Sequence, residues 1–219
     1  MVIELHNLKP QYMSESEVAG SDIYLQPALT FESGKKYMVK AKSGHGKTSL
    51  LNFIYGNSPH FDGTIDIRCG NGETISATSH TCDLLFPLRR DKLSYLFQDL
   101  CLFEELTARE NVIIKNNLTH HKCEADIDDM LAQLLPPEKK DQPLRTLSLG
   151  QRQRVAVVRA LCQPFEFLLM DEPFSHIDRQ NANAVVALVL KEVALQGAGL
   201  IVTTLDQTDL FPFDSILNL

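Results

Sequence analysis

A chain of 219 residues with 44% hydrophobic and 22% charged side chains has the composition of an ordinary soluble globular protein, either one large domain or a core with one insertion. Its net charge of −7 argues against a broad surface for a nucleic-acid backbone, while leaving room for a local basic patch. Five scattered cysteines (Cys69, Cys82, Cys101, Cys123, Cys162) form no C-x-x-C pair, which points to reduced thiols in a cytoplasmic protein and not to a disulfide framework.

The first strong element is a short strand over Lys36–Ala41 (KYMVKA). Thr48–Tyr55 (TSLLNFIY) has helical spacing and stops at Gly56, a good C-cap residue. Gly63–Ile67 alternates as a strand does, with a turn signal at Asn71-Gly72, and Leu93–Phe97 is a further strand candidate. From about Asp99 to Thr146 the character becomes helical. Thr107-Ala108-Arg109-Glu110 is a capping-box pattern, and Ala125–Leu135 keeps helical spacing until Pro136-Pro137 stops it. Strand and helix then alternate again. Phe165–Met170 and Leu200–Thr204 are continuous apolar runs of the kind buried in parallel sheets, with a helix over Ala182–Leu195 between them. Ser215–Leu219 reads as a last strand. The plan is therefore an α/β core over about 1–98 and 147–219, with a helical subdomain over about 99–146.

Between the first strand and helix lies Ala41-Lys42-Ser43-Gly44-His45-Gly46-Lys47-Thr48, which matches phosphate-loop spacing except that Ala41 replaces the first glycine. Gly44 and Gly46 let the backbone curl so that N–H groups from Ser43 through His45 to Ser49 point at phosphate oxygens. The helix adds its positive N-terminal end. Lys47 is expected to reach the β- and γ-phosphates, and Thr48 to ligate Mg²⁺. Downstream, the apolar run ends in Asp171-Glu172, two acids at the carboxyl end of a buried strand. In a P-loop fold that is where the metal and the attacking water sit. Asp171 is read as holding Mg²⁺ through water and Glu172 as polarising the hydrolytic water.

Leu147-Ser148-Leu149-Gly150-Gln151 opens a helix with an S-x-x-Q capping box and lies 23 residues ahead of Asp171, counted from Ser148. With these motifs the chain resembles an ABC-type ATPase over nearly its whole length. Leu149 stands where the family signature usually has its middle glycine. The resemblance implies a P-loop core with a mainly parallel sheet, an N-terminal antiparallel β region and an inserted helical subdomain. It implies that Ser148, Gly150 and Gln151 contact ATP held by another subunit. Tyr95–Asp99 resembles the Q-loop, with Gln98 linking Mg²⁺ and water to the helical subdomain. Phe174–Asp178 resembles the D-loop, which signals across the dimer, with His176 as a spacer. Tyr12 is the candidate for adenine stacking, with Tyr24 also available.

One departure affects the chemistry. In Val202-Thr203-Thr204-Leu205-Asp206, Leu205 occupies the position of the family's switch histidine and has no hydrogen-bonding group for a γ-phosphate. Turnover is therefore expected to be weakened while ATP binding stays intact.

The resemblance implies an ATP-binding and hydrolysing transporter subunit that works as a homodimer, or as a pseudo-dimer with a related ATPase subunit. Its catalytic residues are Glu172, Lys47 and Gln98, and its Mg²⁺ ligands are Thr48, Gln98 and Asp171. No apolar run approaches the roughly 20 residues of a membrane helix, and MVIELHNLKP is no signal peptide. The expected location is cytoplasmic, peripheral on the inner face of the membrane through an integral membrane permease, with no direct nucleic-acid partner. Two alternatives stand beside this: a degenerate regulatory subunit with weak hydrolysis, and an ABC-type ATPase acting on DNA. The second is disfavoured because only about 100 residues separate Lys47 from Ser148, with no sustained heptads. Three smaller features remain. His120-His121-x-Cys123 reads as a solvated loop and not zinc, and Arg89-Arg90 as surface charge. The strip Leu100, Leu102, Phe103 and Leu106 either receives a permease helix or packs the subdomain core. The short length and the run Leu88–Leu93 are similar to the branch that includes lipoprotein-release, macrolide-efflux and cell-division ATPases.

Overall fold

The computed structural model describes residues 1–205 and 209–219. The elements run β1 (Val2–Pro10), β2 (Leu29–Glu32), β3 (Lys36–Lys40), α1 (Lys47–Ile54), β4 (Phe61–Arg68), β5 (Thr74–Ala77) and β6 (Leu93–Leu96). They continue through α2 (Ala108–Asn116), α3 (Glu124–Leu134), α4 (Leu149–Leu161), β7 (Phe167–Asp171), α5 (Arg179–Gln196), β8 (Gly199–Thr204) and β9 (Ser215–Asn218). Two sheets result. One is antiparallel in the order β2-β1-β4-β5; the other has the order β6-β7-β8-β3-β9, with every pairing parallel.

The apolar runs in β7 and β8 follow from this arrangement. Successive side chains of a strand point to opposite faces, and both faces of the parallel sheet are covered. Phe167 and Leu169 enter a core shared with α1 and the antiparallel sheet, while Leu168 and Met170 enter a second core built on α2 to α5. Leu200 and Val202 of β8 join the second core and Ile201 the first. Every residue of β7 is buried, so a polar residue at the strand's end, Asp171, is held there by the sheet and not by solvent.

The helical segment behaves as its caps direct. Thr107 and Glu110 exchange both capping-box bonds at the start of α2, and Ser148 and Gln151 do the same for α4. The cap of α3 is Cys123, whose thiol accepts the Asp126 N–H at 3.4 Å, a cap that cysteine's weak acceptor makes hard to read in sequence. Asp178 caps α5, which therefore begins three residues before the first apolar position at Ala182. The strand read from Phe165 starts instead at Phe167, because the Phe165 N–H is taken by the Gln196 side chain at 2.8 Å. β1, β2 and β5 were not assigned from the sequence, although Ile3-Glu4-Leu5-His6, Leu29-Thr30-Phe31-Glu32 and Thr74-Ile75-Ser76-Ala77 each alternate over a short span. Their pairing partners, remote in sequence, settle their extent.

Arg89 corrects the reading of Arg89-Arg90 as surface charge. Its guanidinium donates to the carbonyls of Tyr55 at 3.0 Å and Gly56 at 2.7 Å, and lies over the Tyr55 and Phe86 rings. It thus satisfies carbonyls left over at the C-terminal end of α1. Arg90 is exposed. Among the described residues, no three His, Cys, Asp or Glu side chains gather as a metal site of those residue types would need.

Candidate nucleotide site

The loop between β3 and α1 turns through Gly44 and Gly46, with φ of 82° and 86°, where only glycine is unstrained. Gly46 also has a steric reason: a Cβ there would lie 2.9 Å from the Tyr24 hydroxyl, which donates to the Gly46 carbonyl at 2.8 Å. Tyr24 is 2% exposed, and burial pushes its phenol pKa up. It is the floor of the loop and no longer a candidate for stacking on a base. Tyr12, at 62% exposed, stands beside the loop with its hydroxyl against Ser49 Oγ.

Ten residues line one cavity: Tyr12, Ser43, Gly44, Gly46, Lys47, Thr48, Ser49, Gln98, Glu172 and Leu205. Lys47 is 5% exposed. Its ammonium donates to the carbonyls of Ala41 at 2.8 Å and Lys42 at 3.1 Å, and it pairs with Glu172 Oε1 at 3.4 Å. His45 is exposed, its ring nitrogen 3.1 Å from the Ser43 carbonyl oxygen, and does not line the cavity. Thr48 donates to Gln98 Oε1 at 3.5 Å, which joins the start of α1 to the segment after β6.

Asp171 sits directly under these groups, 1% exposed. Burial pushes its carboxyl pKa up, and the hydroxyls of Thr203 and then Thr48 work against that shift. Its Oδ1 accepts from Thr203 Oγ1 at 2.5 Å, while Oδ2 is buried without a hydrogen-bond partner. An orphaned buried carboxylate oxygen is costly, and a hydrated cation would relieve it. Thr48, Gln98 and Asp171 all offer oxygen, the donor that a hard ion such as Mg²⁺ prefers, so the residues present fit that metal. Glu172 adopts a left-handed conformation with φ 46°. Such a conformation in a non-glycine residue costs about 1–3 kcal/mol and persists only where the surroundings hold it.

The sequence of residues 25–175 matches the family described as ABC transporter. The chain belongs to that family.

Its relatives place it among ATP-binding cassettes. The chain is 26% identical to the lipoprotein-releasing system ATP-binding protein LolD of Protochlamydia amoebophila, covering 94% of this chain and 88% of that protein. It is 30% identical to the macrolide export ATP-binding/permease protein MacB of Salmonella paratyphi A, with 94% of this chain matched but only 31% of that protein spanned. The solved dimeric structure of the cassette MJ0796 in a post-hydrolysis state, bound to ADP and Pi, aligns with a TM-score of 0.75 at 26% identity, covering 93% of this chain and 88% of that one. The fold, with its parallel and antiparallel sheets and its helices, is that of an ABC ATPase cassette.

In this cassette the signature residues Ser148, Gly150 and Gln151 do not line the cavity of their own chain. They form the first turn of α4, with Ser148 exposed. Gly150 abuts the loop after β7, where an added Cβ would lie 2.5 Å from the His176 carbonyl oxygen. One turn on, Gln153 is 2% exposed. Its amide donates to the Glu172 carbonyl at 3.3 Å and Ser175 Oγ at 3.4 Å, and accepts the His176 N–H at 3.2 Å. The signature helix is therefore tied to the loop that carries Glu172. His176 itself borders a cleft with Thr48 and Gln98.

Gln153 and Thr203 escaped the sequence reading, although each carried a signal. Gln153 shares the i, i+3, i+4, i+7 spacing of Ala156, Val157 and Ala160, which marks a buried face. Thr203 interrupts an apolar strand with a hydroxyl. After Gln98, Leu100 and Cys101 take φ of 62° and 49°, and Arg159 holds their carbonyls at 2.6 Å each. The apolar strip divides: Leu100 is buried, whereas Phe103 is 53% exposed. Leu205 lies on the cavity wall, and Asp206 falls outside the described residues.

Proposed function

We propose that this cassette binds ATP with Mg²⁺, hydrolyses it within a dimer and thereby drives a separate integral membrane permease. The observation that carries the reading is the convergence of Lys47, Thr48, Gln98 and Glu172 on one cavity, above a buried carboxylate with one open oxygen. Lys47 would exchange its two carbonyl partners for β- and γ-phosphate oxygens, and the loop from Ser43 through His45 to Ser49 would supply N–H groups at the head of α1. Tyr12 would stack on adenine. Thr48, Gln98 and, through water, Asp171 would hold Mg²⁺, which when bound would supply positive charge to offset that of the phosphates. Glu172 would take the proton of the attacking water, and Gln98 would orient that water. Segment 99–146 acts as the helical subdomain of a core formed by 1–98 and 147–219.

Ser148, Gly150 and Gln151 would complete the site of a second copy or a related subunit, because they lie outside their own cavity. The dimeric MJ0796 neighbours support this. The cleft lined by Leu100, Leu102, Glu104, Leu149 and Arg152 beside Gln98, with exposed Phe103 nearby, would meet the permease on the cytoplasmic side of the membrane. Among the described residues no helix is long and apolar enough to cross a membrane. The likeness to LolD and MacB supports the exporter-like branch.

A second reading, a regulatory cassette with weak hydrolysis, is favoured by Leu205 on the cavity wall. Steady-state turnover separates the two. A general base is worth about 10²–10⁴ in rate, so hydrolysis by the wild-type chain that falls at least about 100-fold in Glu172→Gln supports the first. Equally low rates in both favour the second.

A further inference from the structure

Behind the cavity, two residues before Leu205, lies a residue with no role assigned so far that does not line the cavity itself. Thr203 is fully buried in β8 and lies opposite Asp171 in the β7–β8 register. Its hydroxyl donates to Asp171 Oδ1 at 2.5 Å and accepts the Glu172 N–H at 3.3 Å. The same N–H is 3.2 Å from the Thr203 carbonyl oxygen. One side chain thus bridges both acids of the pair.

We propose that Thr203 is a positioning residue for the metal: by occupying Asp171 Oδ1 it turns Oδ2 into the only open oxygen of that carboxylate and aims it toward Thr48 and Gln98. A carboxylate on a single rotatable bond can present either oxygen or neither. A hydroxyl donor fixed in the adjoining strand removes that freedom, as outer partners of metal ligands generally do. The second bond acts on Glu172. Its left-handed backbone must be held by its neighbours, and the Thr203 hydroxyl and carbonyl both take its N–H. Metal ligand and general base are therefore set by one residue, and a loss of the hydroxyl disturbs both. This inference rests on the Mg²⁺–ATP reading of the cavity.

The test is a Mg²⁺ titration of fluorescent-nucleotide binding by the full chain, with parallel binding in EDTA. Outer partners of metal ligands are typically worth 10- to 100-fold in metal affinity. Thr203→Val should raise the half-saturating Mg²⁺ concentration about tenfold or more, leave nucleotide affinity in EDTA within about twofold, and keep a cooperative thermal transition. Thr203→Ser, which restores the hydroxyl, should return Mg²⁺ dependence to within about threefold of wild type. Wild-type Mg²⁺ dependence in Thr203→Val overturns the proposal. So does a serine variant as impaired as the valine one, since the effect then belongs to packing. If the valine chain does not fold, Thr203→Ala compared with Thr203→Ser gives the same contrast. Failure of the underlying reading looks different: the wild-type chain itself would bind no nucleotide, or bind it without regard to Mg²⁺.

Discussion

Replacing Gly150 by alanine sets two effects against each other. Alanine is better than glycine in a helix by up to about 1 kcal/mol, and Gly150 is the second residue of α4, so propensity alone forecasts a gain. The new methyl carbon, however, would lie 2.5 Å from the His176 carbonyl oxygen, where ordinary close carbon–oxygen contacts begin at about 3.3 Å. The loop after β7 must therefore move off α4 by about 0.8 Å. The Gln153 bonds to Glu172, Ser175 and His176 are already 3.2–3.4 Å long, and that movement takes them out of range. Overpacking costs about 1–3 kcal/mol, and a buried amide left unpaired costs about 1–3 kcal/mol more. The steric terms win, for a net loss of about 2 kcal/mol and a Tm lower by about 4–8 °C at this chain length. Urea denaturation followed by far-UV circular dichroism measures it, with the exposed neighbour Leu149→Ala as a control expected within about 0.5 kcal/mol of wild type. A Gly150→Ala chain as stable as the parent, or more so, would refute the close-approach argument.

Leu205→His restores a hydrogen-bonding ring to the cavity wall and should raise steady-state ATP turnover with nucleotide affinity little changed; an unchanged or lower rate in a folded variant counts against the assigned role. Tyr12→Ala should weaken nucleotide binding about tenfold or more, since stacking on a base is worth about 1–3 kcal/mol, while Tyr12→Phe, which loses only the contact to Ser49, should bind nearly as wild type. Equal losses in both variants, in an equilibrium titration, would assign the effect to the hydroxyl instead. Glu166 accepts from Lys92 Nζ at 2.8 Å and the Gly70 N–H at 3.0 Å and pairs with the N-terminal ammonium at 3.2 Å; burial raises its carboxyl pKa, but these three partners together outweigh burial and hold it below the ordinary 4.5. A carboxyl held lower in the folded state stabilises above about pH 4.5, and that contribution is lost as the pH falls through the folded value. Thermal melts of Glu166→Gln should therefore lie below wild type at pH 7, with the gap narrowing toward pH 4; a gap that does not change with pH would mean the charge is irrelevant.

Much of the parallel core was legible because its signals are local. The glycine spacing of 41–48, the apolar runs before Asp171 and through Leu200–Thr204, and the two capping boxes at Thr107 and Ser148 each report chain conformation within a few residues. The antiparallel strands β1, β2 and β5 were missed, because the alternation in each spans only about four residues. Their extent and pairing are settled by partners tens of residues away: Val2 pairs with both Glu32 and Arg68. Arg89 could not be separated from Arg90 by composition, because only the fold brings the C-terminal carbonyls of α1 under one guanidinium and not the other.

At the site the division is similar. Sequence by itself determined which groups are present: a lysine and a threonine at the head of a helix, two acids at the end of a buried strand, and a leucine where the family's histidine stands. Those are matters of residue type and short spacing. The tertiary structure alone decided how they stand to one another. It buried Tyr24 under the loop and left Tyr12 open, because the loop must curl over something at Gly46. It set Thr203 beside Asp171 through strand register, and Gln153 against the Glu172 loop through helix packing. Register and packing join residues distant in the chain, and no local pattern encodes them.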